Sequence, residues 1–308
     1  MATVIILGVA VQDFVFSVDE IPSEARKYRA RDFTVIGGGC AATAAVAVAR
    51  LDGDSYLLSR LGNDFTADII IRDLEADGVN CAGVRRFEGL KSPLSAIMVD
   101  QTGERMIMGY RDHAIPTDPG FVADYFDPAA DAVLADSRWA EGAVRLFELA
   151  AEKDIPAVLD GEMPFDDPER AAVGLATHPV FSAQGLRDYA GEDHLLTGLL
   201  AASAKRDGRW TAVTDGPNGV YVARDGLLHH LPGFAIDVVD TLGAGDVWHG
   251  AFALALAEGQ SEEQALQFAS AAAALKCSQF GGRTGTPRRA ELNRFLENQT
   301  RQMEPISL

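Results

Sequence analysis

Apolar runs of two lengths alternate along the chain and predict alternating strands and helices. The first strand is expected over residues 4–11, and the first helix over 41–51, an alanine-rich run that follows three glycines. Later strands are predicted at 55–59, 132–135, 157–160, 179–182 and 211–214, and later helices at 65–77, 142–153, 243–258 and 261–278. This order predicts an α/β fold with a central, mostly parallel sheet flanked by helices.

Four short strands interrupt that order and predict a small antiparallel β lid beside the main body. They are expected at 14–18, 28–35, 95–100 and 105–110, and the turn Gln101-Thr102-Gly103-Glu104 joins the last two in a hairpin. No repeat or linker-like tract divides the sequence. We therefore expect one domain over residues 1–308, with the lid inserted at about 12–35 and 89–116.

Charge and composition exclude several classes of partner. The chain has 27 Lys and Arg against 45 Asp and Glu, a formal charge of -18, which argues against nucleic acid and anionic membranes as partners. The N-terminal apolar run lacks the basic segment of a signal peptide, so a cytoplasmic location is expected. Three widely spaced cysteines, Cys40, Cys81 and Cys277, lack metal-ligand spacing and are expected to be reduced thiols that serve in packing.

The segment DTLGAGDVWHGAFALAL at 240–256 carries the clearest chemistry. Small residues at Gly243, Ala244 and Gly245 let main-chain N–H groups approach an anion at the start of an apolar helix, where the helix dipole favours negative charge. Asp246 follows in the first turn and is a candidate base for an attacking hydroxyl. The competing interpretation is that Asp246 only caps the helix.

A second glycine run gives a competing hypothesis. Gly37, Gly39 and Ala42 match G-x-G-x-x-A, the fingerprint of a dinucleotide-dependent oxidoreductase. Two features argue against it: the run does not follow the first strand, and the next strand ends at Ser59-Arg60 without the ribose-binding acid. The chain also contains no G-x-x-x-x-G-K-[ST] loop, which excludes an ordinary P-loop kinase.

Several motifs resemble those of the ribokinase/PfkB family of carbohydrate kinases. Residues 240–251 resemble the family's C-terminal signature, and Gly38-Gly39 with the following helix resembles its N-terminal glycine motif. SRLGNDFTADIIIRDLEADGVN at 59–80 and the turn at 214–216 are also typical, so the resemblance covers essentially the whole chain. It implies a ribokinase-like fold and ATP-dependent phosphoryl transfer to a primary hydroxyl of a ketose. A non-catalytic sugar or nucleotide sensor on the same fold is the alternative of another class.

The resemblance also implies roles for individual residues. Asp246 would be the catalytic base, and Gly243, Ala244 and Gly245 would form the anion hole. The remaining assignments are sugar binding by Asp13, Gly38, Gly39 and Thr43, and nucleotide binding by Thr214, Gly216, Gly219, Cys277 and Gly282. ATP with Mg²⁺ is the expected cofactor. A monovalent cation such as K⁺ is expected near Asp240 and Thr241, and a homodimer is expected to form through the lid.

Within that family, a few strings are similar to sulfofructose kinases. They are GGGCAATAAVAVARL, SAIMVD, VLADSRW and GGRTG, and the family's Asn-x-x-Glu element is replaced by SAQG at 182–185. Lys27 and Arg138 match two sulfonate-binding positions, whereas the third, an asparagine, is Gly109 here, so Arg111 or His113 is the expected substitute. Taken singly, Lys27 could be a solvated charge and Arg138 a member of an ion pair.

These matches imply an anionic sugar substrate. The resemblance favours 6-deoxy-6-sulfofructose, and a phosphorylated ketose such as fructose 6-phosphate would use the same cations. Fructose and ribose are the uncharged alternatives. A sulfonate presents acceptor oxygens only, so it requires donors at its binding site.

Overall fold

The computed structural model describes residues 1–102, 104–162, 164–299 and 301–306. The helices are α1 (Cys40–Arg50), α2 (Phe65–Ala76), α3 (Ala140–Glu152), α4 (Asp167–Leu175), α5 (Ala183–Ala190), α6 (Leu195–Ala204), α7 (Ala244–Ala257), α8 (Glu262–Cys277) and α9 (Arg289–Asn298). The strands are β1 (Thr3–Leu7), β2 (Val11–Ser17), β3 (Asp32–Gly38), β4 (Asp54–Gly62), β5 (Asn80–Phe87), β6 (Leu94–Val99), β7 (Arg105–Tyr110), β8 (Ala132–Asp136), β9 (Ala157–Gly161), β10 (His178–Ser182), β11 (Thr211–Thr214), β12 (Val220–Arg224), β13 (Leu227–Leu231) and β14 (Glu304–Ile306).

The main sheet confirms the predicted parallel architecture. Its strand order is β14-β13-β12-β11-β10-β9-β8-β1-β4-β5. Every pair from β11 to β5 is parallel, and the pairs from β11 to β14 are antiparallel. Helices cover both faces, which explains why the central strands β1, β8 and β9 are buried at every position.

Two apolar clusters, one on each face of the main sheet, form the core. The first includes residues of α1, α7 and α8, and the second includes residues of α3, α4 and α6. Helices α1 and α7 approach closely, since a Cβ added at Gly250 would overlap the main-chain oxygen of Ala44. This contact holds together the two helices that follow the two glycine motifs.

The small sheet has the order β3-β2-β6-β7. Its outer pairs, β2 with β3 and β6 with β7, are antiparallel as predicted, but β2 and β6 pair in parallel because both strands enter the sheet in the same direction. Of the predicted hairpin turn, Gly103 lies outside the described residues. β3 begins at Asp32, later than predicted, because residues 21–31 form a loop.

The structure differs from the predicted elements in two further respects. The strand expected over 4–11 is shorter than predicted: β1 ends at Leu7, and Val11 already belongs to β2 in the other sheet, which begins earlier than the predicted 14–18. The chain turns at Gly8, where a Cβ would overlap the Asp136 carboxylate. Four helices and four strands were not predicted, namely α4, α5, α6, α9, β5, β12, β13 and β14. Within the described ranges, no helix has the length and apolar character needed to cross a membrane.

Candidate active site

The candidate site lies at the carboxyl edge of the main sheet. Parallel strands end at one edge, and in such folds ligands bind there. The register pairs Asp136 at the end of β8 with Asp160 in β9, and Ser182 at the end of β10 with Thr214 at the end of β11. The first turns of α7 reach this edge, where the ring Nε2 of His249 lies 3.3 Å from the Val180 oxygen of β10.

The start of α7 has the geometry of an anion site. Gly243 is the N-cap residue in a left-handed conformation, with φ of 77°, and no side chain caps the helix. The idea that Asp246 is only a capping residue is therefore wrong. A Cβ added at Gly245 would meet nothing within 4 Å, so open space adjoins the N-terminal turn. An anion in that space would face main-chain N–H groups and the positive end of the helix dipole.

Asp246 has the electrostatics of a base that works near neutral pH. Burial and the nearby charge of Asp160 raise its pKa from 3.8 to about 7, although His249 and a hydrogen bond from Cys40 act in the opposite direction. A carboxylate with such a pKa takes up a proton more readily than an exposed one. The arrangement can therefore remove a proton from a hydroxyl placed beside it.

A cluster around Asp246 was not found from the sequence. Ligand atoms of Cys40, Asp160 and Asp246 lie within 4.8 Å of one another. Cys40 therefore lies beside the two carboxylates, and burial raises its thiol pKa well above the usual range. The sequence did contain one indication of this cluster. Asp136 and Asp160 each follow the apolar run of a strand, and parallel strands end at the same edge of a sheet.

Asp136 is a structural anchor for this edge. Its buried carboxylate accepts hydrogen bonds from the main-chain N–H groups of Val9 at 2.8 Å, Ala41 at 3.2 Å and Arg138 at 2.9 Å. The same carboxylate thus fixes the end of β1, the start of α1 and the segment that carries Arg138. These donors offset part of the cost of burying a carboxylate.

The residues assigned to the sugar lie together between the small sheet and α1. A Cβ at Gly38 would overlap the carboxylate of Asp13, so only glycine permits this approach. Burial raises the pKa of Asp13, while a hydrogen bond from Ser95 and the charge of Arg283 counter that effect. Gly39, with φ of 94°, is the N-cap residue of α1.

Thr43 connects the sugar side to the anion site. This buried side chain lies in the first turns of α1, and its Cγ2 would be 3.3 Å from a Cβ built at Gly243. The two glycine motifs, distant in sequence, therefore meet through Thr43 at the start of α7.

A cationic cavity of about 140 Å³ lies beside the residues assigned to the sugar. Its polar lining includes Arg60, Arg111, Arg138, His113 and Asp112. The side-chain cations therefore outnumber the single carboxylate. Val9 connects this cavity to the glycine motif, since it lines the cavity and its main-chain oxygen accepts a hydrogen bond from the N–H of Ala42 at 3.3 Å.

Arg60 is held rigidly at this cavity. Its guanidinium lies 4.2 Å from the centroid of the Trp139 ring, and Nη1 donates to the Pro116 oxygen at 2.8 Å. Burial and the charge of Arg111 lower its pKa to about 10, so Arg60 is still a cation at neutral pH. Lys27, in contrast, is exposed in the loop between β2 and β3 and does not line the cavity.

The residues assigned to the nucleotide lie at the other end of the sheet edge. Thr214 ends β11, and Gly216 and Gly219 follow with φ of 51° and 100°. Val238 and Val239 are exposed, at 63% and 59%, although they are apolar. This exposed pair is a feature that the sequence did not reveal.

Asp240 joins this nucleotide side to the anion site. The N–H of Val239 donates to the main-chain oxygen of Cys277 at 2.8 Å, and the N–H of Gly282 donates to the Asp240 carboxylate at 3.1 Å. Thr241 is exposed, and its main-chain oxygen accepts from the N–H of Ala244 at 3.2 Å. Cys277 and Gly282 are thus tied to the segment that leads into α7.

Comparison with known families decides the class of protein. The profile of the pfkB family carbohydrate kinases matches residues 1–289. The chain belongs to this family. It is therefore an ATP-dependent carbohydrate kinase, and the oxidoreductase hypothesis is wrong. The structure explains the misleading fingerprint, because β3, which precedes it, lies in the small sheet and not in the main parallel sheet.

Individual relatives agree with the family assignment. The kinase is 27% identical to a ribokinase of Bacillus subtilis, over 96% of this chain and 100% of the relative. It is 28% identical to an ATP-dependent ribose-1-phosphate kinase of Halopiger xanaduensis, over 92% and 95% of the two chains. A crystal structure of a candidate ribokinase from Agrobacterium tumefaciens is 35% identical, with a TM-score of 0.88 over 96% and 98%. These similarities confirm the predicted ribokinase-like fold.

Proposed function

We propose that this kinase transfers the γ-phosphoryl group of ATP to a primary hydroxyl of a ketose that carries an anionic group. The first candidate is 6-deoxy-6-sulfofructose. One observation carries the proposal: the cavity beside the sugar-binding residues is lined by the guanidinium groups of Arg60, Arg111 and Arg138. Guanidinium groups form charge-assisted hydrogen bonds to the oxygens of a sulfonate or phosphate, and two such hydrogen bonds from one guanidinium match the planar geometry of these anions.

The proposed reaction uses the open space at the start of α7. Asp246 accepts the proton of the attacking hydroxyl, and the N–H groups of the turn Gly243-Ala244-Gly245 stabilise the charge on the transferring phosphoryl group. Asp13 and the Gly38-Gly39 backbone hold the sugar hydroxyls. The phosphoryl group would then move between the nucleotide side and the sugar side of the same sheet edge.

ATP and Mg²⁺ fit the other half of this edge. Thr214, Gly216 and Gly219 would lie beside the phosphates, and the exposed apolar pair of Val238 and Val239 would contact adenine. Mg²⁺ usually binds through one or two carboxylates together with substrate phosphates, and it compensates their charge. Asp160 and Glu162 are suited to this role because the two carboxylates lie close together: burial raises the pKa of Asp160, and the nearby charge of Glu162 adds to that effect.

A sugar phosphate is the second candidate substrate. One relative, at 28% identity, is a kinase of ribose 1-phosphate, a sugar that already carries an anion. A phosphate would use the same guanidinium groups as a sulfonate, so fructose 6-phosphate is also a candidate. The relative from Bacillus subtilis is named a ribokinase, after the uncharged sugar ribose. Ribose is therefore the uncharged control for ribose 1-phosphate.

A substrate panel tests the proposal directly. ADP release is measured with 6-deoxy-6-sulfofructose, fructose 6-phosphate, ribose 1-phosphate, fructose and ribose at equal concentrations. The expected result is a higher kcat/KM for an anionic sugar than for fructose or ribose. If fructose or ribose has the highest kcat/KM, the anionic-substrate proposal is wrong, whereas the family's carbohydrate kinase activity is unaffected.

We further propose that the kinase forms a homodimer through the small sheet. Its outer strands expose apolar side chains: Phe33 and Val35 on β3, and Ile107, Met108 and Tyr110 on β7. Strand edges with exposed apolar residues favour association. Light scattering after gel filtration should give a dimer mass, and Met108→Glu should give a monomer. A monomeric wild-type protein would contradict this proposal.

A further inference from the structure

Lys276 lies at the place where the family resemblance predicts a monovalent cation. It is in the last turn of α8, and its side chain is completely buried. Its Nζ donates to the main-chain oxygen of Asp240 at 2.7 Å and lies 3.3 Å from Oδ2 of the same residue. Carbonyl and carboxylate oxygens are the ligands that a hard metal cation would take. The ammonium group thus contacts two oxygens of Asp240, one of the two residues expected to hold the ion.

The carboxylate of Asp240 has little capacity left for a metal ion. Besides Lys276, its contacts are the N–H groups of Leu242 at 2.9 Å and of Gly281 and Gly282 at 3.1 Å each, and the guanidinium of Arg105 at 3.2 Å. A carboxylate offers about four lone-pair sites, and these five groups already surround it. A K⁺ ion would have to displace one of them.

Electrostatics also disfavours an additional cation here. The Asp240 carboxylate lies 3.2 Å from the Arg105 guanidinium and 3.3 Å from the Lys276 ammonium. Its single negative charge faces Lys276 and Arg105, and a K⁺ ion would be repelled by both at short range. The residues of this chain therefore do not fit the monovalent cation that the resemblance implied.

We propose that the Lys276 ammonium is a built-in replacement for that cation, and that this kinase requires no K⁺. The ammonium holds the main chain at Asp240, immediately before the turn that forms the anion site. Asp240 also binds Gly281 and Gly282, which connects the nucleotide side to the same point. A cationic side chain at this position keeps the anion site ordered without an ion from solution.

The wild-type enzyme tests the proposal without any mutation. Activity toward the best sugar found is measured in about 100 mM KCl, NaCl or tetramethylammonium chloride, with the melting midpoint measured in the same salts. We expect kcat and kcat/KM to differ by less than about twofold, and the melting midpoint in KCl to match that in tetramethylammonium chloride within about 1 °C. A saturable activation by K⁺ of about tenfold or more would overturn the proposal.

The variant Lys276→Ala tests whether the ammonium occupies a true cation site. Removing the side chain leaves space beside the Asp240 oxygen, so K⁺ or methylammonium at about 100 mM should raise its melting midpoint by about 2–4 °C over tetramethylammonium, and should restore activity. Lys153→Ala is the matched control, because its exposed Nζ also donates to a main-chain oxygen, that of Pro128, at 2.7 Å. This control should show no selective response.

The melting measurement distinguishes this proposal from the substrate assignment, since it needs no sugar. A folded Lys276→Ala protein with the same melting midpoint in all of these salts would overturn the cation-site interpretation. If Lys276→Ala does not fold, the wild-type salt series alone decides, because K⁺ activation of the intact enzyme contradicts the proposal and its absence supports it.

Discussion

Oδ1 of Asp160 lies 3.6 Å from Nε2 of His249. His249 is a buried residue of α7, three positions after Asp246. The His249 Nδ1 lies 2.8 Å from the Gly245 oxygen in the preceding turn. Burial lowers the pKa of His249 and raises those of Asp160 and Asp246. Two buried carboxylates and an imidazole thus share one environment, and they should titrate together and not as independent groups.

The pH dependence of turnover should report this cluster. Asp246 must be ionised to act as a base, and its pKa is raised to about 7, so kcat/KM for the sugar should fall as pH decreases below about 7. Asp160→Asn removes a negative neighbour, and the midpoint of the profile should therefore move to lower pH. An unchanged midpoint in that variant would show that Asp160 does not influence the base.

The raised pKa of Asp246 should also make the stability of the folded protein depend on pH. The folded-state pKa of Asp246 exceeds the unfolded value of 3.8, so the residue progressively disfavours folding as pH rises from about 4 to about 7. Asp246→Asn should then raise the melting midpoint more at about pH 8 than at about pH 5. An equal effect at both values would contradict the raised pKa.

Asp246→Asn should abolish most turnover while both substrates still bind. The amide keeps the shape of the side chain but cannot accept the hydroxyl proton, and loss of a general base typically costs about 10²–10⁴ in rate. Single-turnover kinetics and calorimetric binding of sugar and ATP are the measurements. Asp193→Asn, at an exposed position, is the control. Retention of more than about half of wild-type kcat would exclude Asp246 as the base.

Gly245→Val should reduce phosphoryl transfer without unfolding the protein. A Cβ at this position meets nothing within 4 Å, so the valine side chain would extend into the space proposed for phosphate. Gly174→Val is the matched control, since Gly174 is also a helical glycine with open space, in α4. Similar melting midpoints with a much lower kcat only for Gly245→Val are expected. Normal catalysis in folded Gly245→Val would remove the anion site from the mechanism.

Arg60→Met and Arg138→Met should each impair anionic sugars selectively. Loss of a charge-assisted contact costs about 1.5–3 kcal/mol, so kcat/KM for the best anionic ketose should fall about 10-fold to 150-fold, and fructose should be much less affected. Arg145→Met, with its exposed ion pair to Glu148, is the control for loss of a positive charge. Equal losses for all sugars would show that the cavity does not bind the anion.

Lys27→Met tests whether the anion of the substrate is bound by Lys27 in the loop between β2 and β3 or by the arginines of the cavity. Because Lys27 is exposed and outside the cavity, its loss should change kcat/KM much less than that of Arg60. A loss as large as that of Arg60→Met would show that the loop between β2 and β3 moves onto the bound substrate, as the sequence resemblance implied for Lys27.

The sequence alone determined the βα order, the small sheet and the glycine-rich start of α7 that carries Asp246. These features are local: apolar periodicity sets each element, and Gly243, Gly245 and Asp246 lie within a single turn. Short or polar elements were not predicted from the sequence. Examples are α9, in which only Leu292 is buried, and β14, which has only three residues. Their formation depends on packing against partners distant in sequence.

Only the tertiary structure decided which distant side chains surround the reacting groups. Asp160 raises the pKa of Asp246, Arg60 joins Arg138 at the cavity, and Lys276 bonds to Asp240. Each pair comes from separate elements that meet because parallel strands end at one edge and helices pack back onto them. Spacing along the chain does not encode such distances, and the electrostatic effects depend on distance and burial. Lys276 occupies the expected cation position because the fold packs the end of α8 beside Asp240.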